Sequence, residues 1–141
     1  MKSYDLNRFS RAQERDYVQA LREIRAGRKA SHWMWYIFPQ LRGLGYSSTA
    51  QYYGIEDLDE ARAYLADPLL RARLEEISSA LLGLEGRSAE EIMGWPDVLK
   101  LCSSMTLFSR AAGSPNVYEK VLEKYYQGRE DRKTLSLLGL D

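Results

Sequence analysis

The sequence predicts an all-α fold, a compact bundle of about seven to nine mostly short helices with no sheet. Three observations lead to this prediction. Apolar residues recur at three- and four-residue intervals, capping residues precede most of these stretches, and no stretch alternates apolar and polar residues between turn signals. The chain has 141 residues, the length of one domain, which we expect to span residues 1–141.

The N-terminal third predicts a long amphipathic region and a short buried helix. Residues 6–25 carry apolar side chains at helical spacing, Val18 among those expected inside, and form one or two helices. After a short turn, residues 31–38 form a helix that stops before Pro39, because proline disfavours the helical conformation in the residue before it.

The remaining helices are predicted from capping residues and glycine stops. The clearest begins at Asp67 and Pro68, and its apolar stripe includes Leu74 and Ile77. Ser114 and Pro115 are expected to cap the penultimate helix, which Gly128 ends. The predicted helices after the first two are residues 48–53, 58–66, 68–85, 89–93, 97–112, 115–127 and 132–138.

The composition argues against several classes of function. Twenty Lys and Arg residues balance twenty Asp and Glu residues, so no single-sign field is available to hold a nucleic acid. No segment approaches the ~18 uncharged apolar residues of a membrane span, and the N-terminus is unlike a signal peptide. We therefore expect a cytoplasmic protein with no nucleic acid or membrane partner, and the sequence leaves its oligomeric state open.

The chain offers little for metal, cofactor or nucleophilic chemistry. Cys102 is the only cysteine and His32 the only histidine, which excludes the usual zinc ligand sets. Cys102 lies on an apolar helical face and is expected to be inert. No nucleophile elbow surrounds any serine, so no catalytic residue is assigned and no cofactor is predicted.

The most unusual stretch is residues 31–40, Ser-His-Trp-Met-Trp-Tyr-Ile-Phe-Pro-Gln, which we call the aromatic segment. Its aromatic side chains are large enough that the segment has to line the core, a pocket or an interface. Trp33 and Trp35 point in different directions on a helix, so at most one is expected to reach solvent. His32 is either a ligand-binding residue or a buried histidine held by hydrogen bonds.

A second unusual stretch lies in the helix at residues 97–112. Its hydroxyl side chains stand beside buried apolar neighbours, where such groups bond back to the helix or face something polar. Both stretches therefore have the mixed composition of small-molecule sites, and we predict a pocket where they meet. The candidate ligand-binding residues are His32, Trp33, Tyr36, Gln40, Ser103, Ser104 and Thr106.

Two other interpretations stay open at this point. The aromatic segment could instead form a protein-interaction or homo-oligomer interface, which would expose a contiguous apolar patch. Four basic residues could form an anion clamp if the fold gathers them, or an ordinary solvated face. These residues are Arg28, Lys29, Arg42 and Lys100.

The aromatic segment, together with Gly43-Leu44-Gly45, residues 61–65 and residues 103–108, resembles a bacterial family catalogued as domain of unknown function 1810. The resemblance covers nearly the whole chain and implies a small, mainly helical, cytosolic protein without an established activity. A looser likeness is to helical domains that process ADP-ribose or riboflavin precursors, which implies a glycosidase-like role as a remote alternative. Those domains have a Glu-His pair where this chain has Gln51-Tyr52-Tyr53.

Overall fold

The computed structural model describes residues 3–140, and in this range the chain forms nine helices and no strand. An isolated bridge joins Leu41 and Ile55. The all-α prediction is confirmed. The helices are α1 (Asn7–Arg25), α2 (Met34–Ile37), α3 (Ser48–Tyr53), α4 (Leu58–Ala66), α5 (Pro68–Leu82), α6 (Ala89–Met93), α7 (Asp97–Ala111), α8 (Val117–Tyr126) and α9 (Arg132–Leu138).

The centre of the fold is α7, which packs against α4, α6, α8 and α9. Residues 103–109 of this helix are all buried, so it is enclosed on every side rather than along one stripe. Its hydroxyl groups largely bond back to the helix, as expected: Ser103 donates to the Leu99 carbonyl at 3.1 Å and Thr106 to the Cys102 carbonyl at 2.8 Å. Polar side chains can therefore lie inside the core.

The first helix is continuous. One residue that the sequence predicts on its inner face is exposed instead. Phe9, Ala20 and Ile24 are buried, whereas Val18 is 70% exposed. Successive residues on a helix lie about 100° apart, so Val18 lies about 200° from the buried Ala20 and faces away from the core. No helix of residues 3–140 is long and apolar enough to cross a membrane.

The fifth helix has the predicted core face but ends earlier than predicted. Leu74 and Ile77 are buried. The helix ends at Gly83, whose N–H bonds to the Ser79 and Ala80 carbonyls at 3.2 Å each, rather than at Gly86. Glycine destabilises a helix interior, so the chain leaves the helix at the first glycine it meets, and Leu84 lies beyond the end.

The cap predicted for the penultimate helix was also wrong. Asn116, not Ser114-Pro115, caps α8: its side chain accepts from the Glu119 N–H at 2.9 Å, and the Glu119 carboxylate accepts from the Asn116 N–H at 3.0 Å. This reciprocal pair is a complete capping box, which requires an acidic residue three positions after the cap. The hydroxyl of Ser114 instead donates to Glu119 at 3.0 Å.

Candidate functional site

A buried carboxylate near the C-terminal end of α1 fixes the start of the aromatic segment. Oε1 of Glu23 accepts hydrogen bonds from the backbone N–H groups of Ala30 at 2.8 Å and Ser31 at 3.0 Å, and from the Trp33 indole at 2.8 Å. Oε2 accepts from the Ser31 hydroxyl at 2.5 Å and the Gln19 amide at 2.8 Å. We call these five residues the Glu23 hub.

The hydrogen bonds of the Glu23 hub keep its carboxylate ionised. Burial alone would raise the pKa of Glu23, but donation from Ser31, Ala30, Gln19 and Trp33 outweighs burial and lowers the pKa to about 2. Sequence reasoning missed this residue. The available signal was an acidic residue three positions after Ala20, on the apolar face of an amphipathic helix.

Lys29 joins the aromatic segment to the start of α7. Its ammonium lies 2.8 Å from the Asp97 carboxylate and donates to the Ser31 carbonyl at 2.5 Å. It also lies 4.8 Å from the centre of the Trp33 ring. The side chains of Lys29 and Asp97 are 8% and 18% exposed, so this ion pair lies largely buried at the edge of the core.

The four basic residues considered as an anion clamp do not gather at one point. Lys29 and Lys100 both pair with Asp97, Lys100 at 3.6 Å. The Arg42 guanidinium donates instead to the Gln51 carbonyl at 3.2 Å and the Gly54 carbonyl at 3.1 Å. Arg28 is exposed.

The candidate residues of the aromatic segment take different positions. Trp33 and Tyr36 are buried, and the Tyr36 hydroxyl donates to the Asp16 carboxylate. His32 is exposed, and its imidazole makes no hydrogen bond within residues 3–140, so the interpretation as a buried histidine is wrong. Gln40 is half-buried and lines a cleft described below.

The candidate residues of α7 are all buried. Ser103 lines the same cleft as Gln40. Thr106 accepts a hydrogen bond from the Asp131 N–H at 2.8 Å and supports the start of α9. Ser104 is fully buried, and its hydroxyl has no hydrogen-bond partner in the described part of the chain. The structure thus brings Gln40 and Ser103 together, and the other five candidates do not line this cleft.

The cleft that Gln40 and Ser103 share has a volume of about 450 Å³, and we call it the Trp35 cleft. It lies between the aromatic segment, the loop before α3, the start of α7 and the start of α9. Lys100 lies 5.1 Å from the centre of the Trp35 ring, and Lys133 lies 5.9 Å from the centre of the Tyr46 ring. Two aromatic rings, each with a lysine ammonium near it, therefore line the cleft.

The polar groups of the Trp35 cleft differ in how far they are already engaged. The Asp131 carboxylate caps α9, accepting from the Thr134 N–H at 3.0 Å and its hydroxyl at 2.6 Å. By contrast, the Gln40 amide and the Lys133 ammonium make no hydrogen bond within residues 3–140. The groups left to meet a ligand are the Gln40 amide and the Lys133 ammonium, while Lys100 lies 3.6 Å from the Asp97 carboxylate.

Cys102 and the acidic residues give no sign of another kind of site. Burial raises the pKa of the Cys102 thiol to about 11, which leaves it protonated and unreactive at neutral pH. Among the residues that the structure describes, no three His, Cys, Asp or Glu side chains lie where they could hold a metal ion.

The fold and cleft define the protein as a small all-helical protein with a cleft lined by aromatic rings, two lysines and one aspartate. The chain belongs to the family described as "Protein of unknown function (DUF1810)", whose model matches residues 3–138, so the resemblance seen in the sequence is confirmed. It is similar to a conserved hypothetical protein from Mycobacterium tuberculosis, known from a crystal structure: 53% identity, a TM-score of 0.95, 98% of this chain and 99% of that chain covered. No curated protein matches this chain.

Proposed function

We propose that this protein binds a small molecule with a planar ring and an anionic group in the Trp35 cleft. The observation that carries the proposal is the convergence, in one cleft, of the Trp35 indole, the unpaired Gln40 amide and the ammonium groups of Lys100 and Lys133. A volume of about 450 Å³ suits such a ligand, since small-molecule sites range over roughly 300–1,000 Å³.

Each part of the proposed ligand has a counterpart in the cleft. Trp35, Leu44 and Leu99 supply an apolar wall for a ring, and the exposed Tyr46 ring stands beside them. The Gln40 amide can both donate and accept, which suits the edge of a heterocycle or a sugar hydroxyl. Lys133, which has no ion pair within residues 3–140, supplies the positive charge for a phosphate or carboxylate, and Lys100, which also pairs with Asp97, lies on the same cleft.

The second candidate function is a protein-interaction or homo-oligomer face. It is favoured by the exposed apolar residues in or next to the cleft, namely Tyr46 at 78%, Trp95 at 71% and Leu99 at 52%. The aromatic segment itself contributes little to such a face, because Trp33, Tyr36 and Phe38 are buried. We therefore favour a ligand in the cleft. We also propose a cytoplasmic location, where a free thiol such as Cys102 stays reduced.

The test is a thermal-shift screen of nucleotides, sugar phosphates and amino-acid derivatives. A ligand is expected to raise the melting temperature in line with RT ln(1 + [L]/Kd), and the rise should shrink in Lys133→Gln and Trp35→Leu proteins. Arg28→Gln is the matched control, since Arg28 is exposed and lies outside the Trp35 cleft.

The screen can also favour the second candidate. If no compound shifts the melting temperature, while the wild-type protein associates at micromolar concentration and a Tyr46→Ser protein does not, the cleft is an interface instead. Sedimentation velocity at several concentrations measures that association.

A further inference from the structure

A second cleft, with a volume of about 730 Å³, lies between α5 and α8 and shares no lining residue with the Trp35 cleft. Its walls come from the end of α4, one side of α5, residues 111–116 and the start of α8. The volume lies within the range of small-molecule sites. We call it the Tyr118 cleft, after the residue that makes it unusual.

Tyr118 lines this cleft and has a hydroxyl group without a hydrogen-bond partner among the described residues. The side chain is only 2% exposed, and its ring packs against Phe108 with the ring centres 5.9 Å apart. A buried hydroxyl is nearly always hydrogen-bonded, because an unpaired one loses its water without compensation. The Tyr118 hydroxyl can therefore form a hydrogen bond with a molecule that binds in the cleft.

The charges around the cleft show what that partner should carry. Arg62, Arg71 and Lys120 line it, against one acidic residue, Glu75. Arg62 has a 3.7 Å ion pair with the exposed Asp59, while Lys120 has no ion pair within residues 3–140. An excess of positive charge in a concave surface favours an anion.

Two of these charges influence the Tyr118 hydroxyl electrostatically. Burial raises the pKa of Tyr118, the Glu75 charge raises it further, and the Arg71 charge acts in the opposite direction. The hydroxyl thus stays protonated at neutral pH and can act as a donor. It is shielded from solvent, so a head group reaches it only when side chains that line the cleft move aside.

We propose that the Tyr118 cleft binds a small organic anion, a phosphate ester or a carboxylate, which accepts a hydrogen bond from the Tyr118 hydroxyl while Arg71 and Lys120 neutralise its charge. The Arg71 guanidinium offers the paired donors that such oxygens match. Leu65, Leu82 and Val117 form apolar walls for the rest of the molecule, which is why the ligand is an organic anion rather than a bare inorganic one.

The first test is an NMR titration of the wild-type protein with hexyl phosphate and hexanoate, with hexylammonium and inorganic phosphate as comparisons. Either organic anion should shift the backbone amides of Ala112, Tyr118 and Lys120, and the tighter one identifies the head group. An Arg71→Gln protein should bind about tenfold more weakly. Arg28→Gln, an exposed cation that lines neither cleft, should leave the affinity unchanged.

The second test is Tyr118→Phe, which removes only the hydroxyl. Because that group has no partner, the variant should melt at the wild-type temperature or above it, yet bind the anion about fivefold more weakly. A lower melting temperature with unchanged anion binding would overturn the proposal, since a buried water would then satisfy the hydroxyl. Equal binding of hexylammonium, or no shift with either anion, would also overturn it.

Discussion

The Glu23 hub and the Trp35 cleft adjoin the same aromatic segment, yet their polar groups differ in whether their hydrogen bonds are made. In the hub, the Glu23 carboxylate accepts five hydrogen bonds and both oxygens are occupied. In the cleft, the Gln40 amide and the Lys133 ammonium bond to nothing within residues 3–140. Trp33 and Trp35 stand two residues apart and belong one to each region.

This difference separates the residues of the aromatic segment that stabilise the fold from those that can bind another molecule. A buried polar group stabilises a fold only when all of its hydrogen bonds are made, whereas a binding site has to keep donors and acceptors in reserve. The hub therefore holds the segment in place, and the cleft is where the segment can meet another molecule. The predictions below test that division, beginning with the largest expected effect.

Glu23→Ala should lower the free energy of unfolding by about 3–5 kcal/mol. The substitution leaves the Trp33 indole, the Ser31 hydroxyl and two backbone N–H groups without their acceptor. Urea denaturation measures the change, with Glu85→Ala, an exposed acidic residue, as the control. A loss below about 1 kcal/mol would show that the hub does not stabilise the fold.

The sequence predicted the helices well because their signals are local. Periodicity and capping pairs, such as Ser88 with Glu91, are visible within one or two turns. The errors are local as well: Ser114 was favoured by the proline that follows it, whereas Asn116 has Glu119 at the spacing of a capping box. Where two residues could both cap a helix, the packing of the folded chain decides between them.

The site was predictable only in part, because its partners are distant in the chain. The aromatic segment is conspicuous, since its unusual residues are consecutive. Lys29 and Asp97 are 68 positions apart, and Lys133 reaches the cleft from the last helix, so no spacing rule joins them. The sequence therefore located the segment but assigned it residues, such as Trp33 and Tyr36, that belong to the core.

The two tryptophans should respond differently to the same substitution. Trp33→Leu removes a 1%-exposed indole and one donor to Glu23, and should cost about 3 kcal/mol of stability. Trp35→Leu affects a half-buried ring and should cost about 1 kcal/mol, while weakening ligand binding in the cleft. Urea denaturation and the thermal-shift assay measure the two effects. Equal losses of stability would contradict the division between hub and cleft.

The hub should also make stability depend on pH in the acid range. The pKa of Glu23 falls from 4.5 to about 2 on folding, so its contribution is complete above about pH 5 and is lost as the pH falls towards 2. The shift corresponds to roughly 3 kcal/mol. Because other carboxylates titrate in the same range, the measurement is the difference between wild type and Glu23→Gln, followed by urea denaturation from pH 6 to pH 2. Parallel curves would contradict the assignment.

His32→Gln should have the smallest effect, although His32 is the most conspicuous residue of the sequence. The imidazole is exposed and makes no hydrogen bond within residues 3–140, so the free energy of unfolding should change by less than about 0.5 kcal/mol. His32 does not line the Trp35 cleft either, so a ligand found in the screen should bind the variant as tightly as wild type. Gln40→Ala is the matched comparison, since it alters a residue of the same segment that does line the cleft and should weaken binding.

If His32→Gln instead abolishes binding with the fold intact, the ligand extends past Trp35 to the exposed start of the segment. The boundary between hub and cleft would then have to be drawn nearer to Ser31.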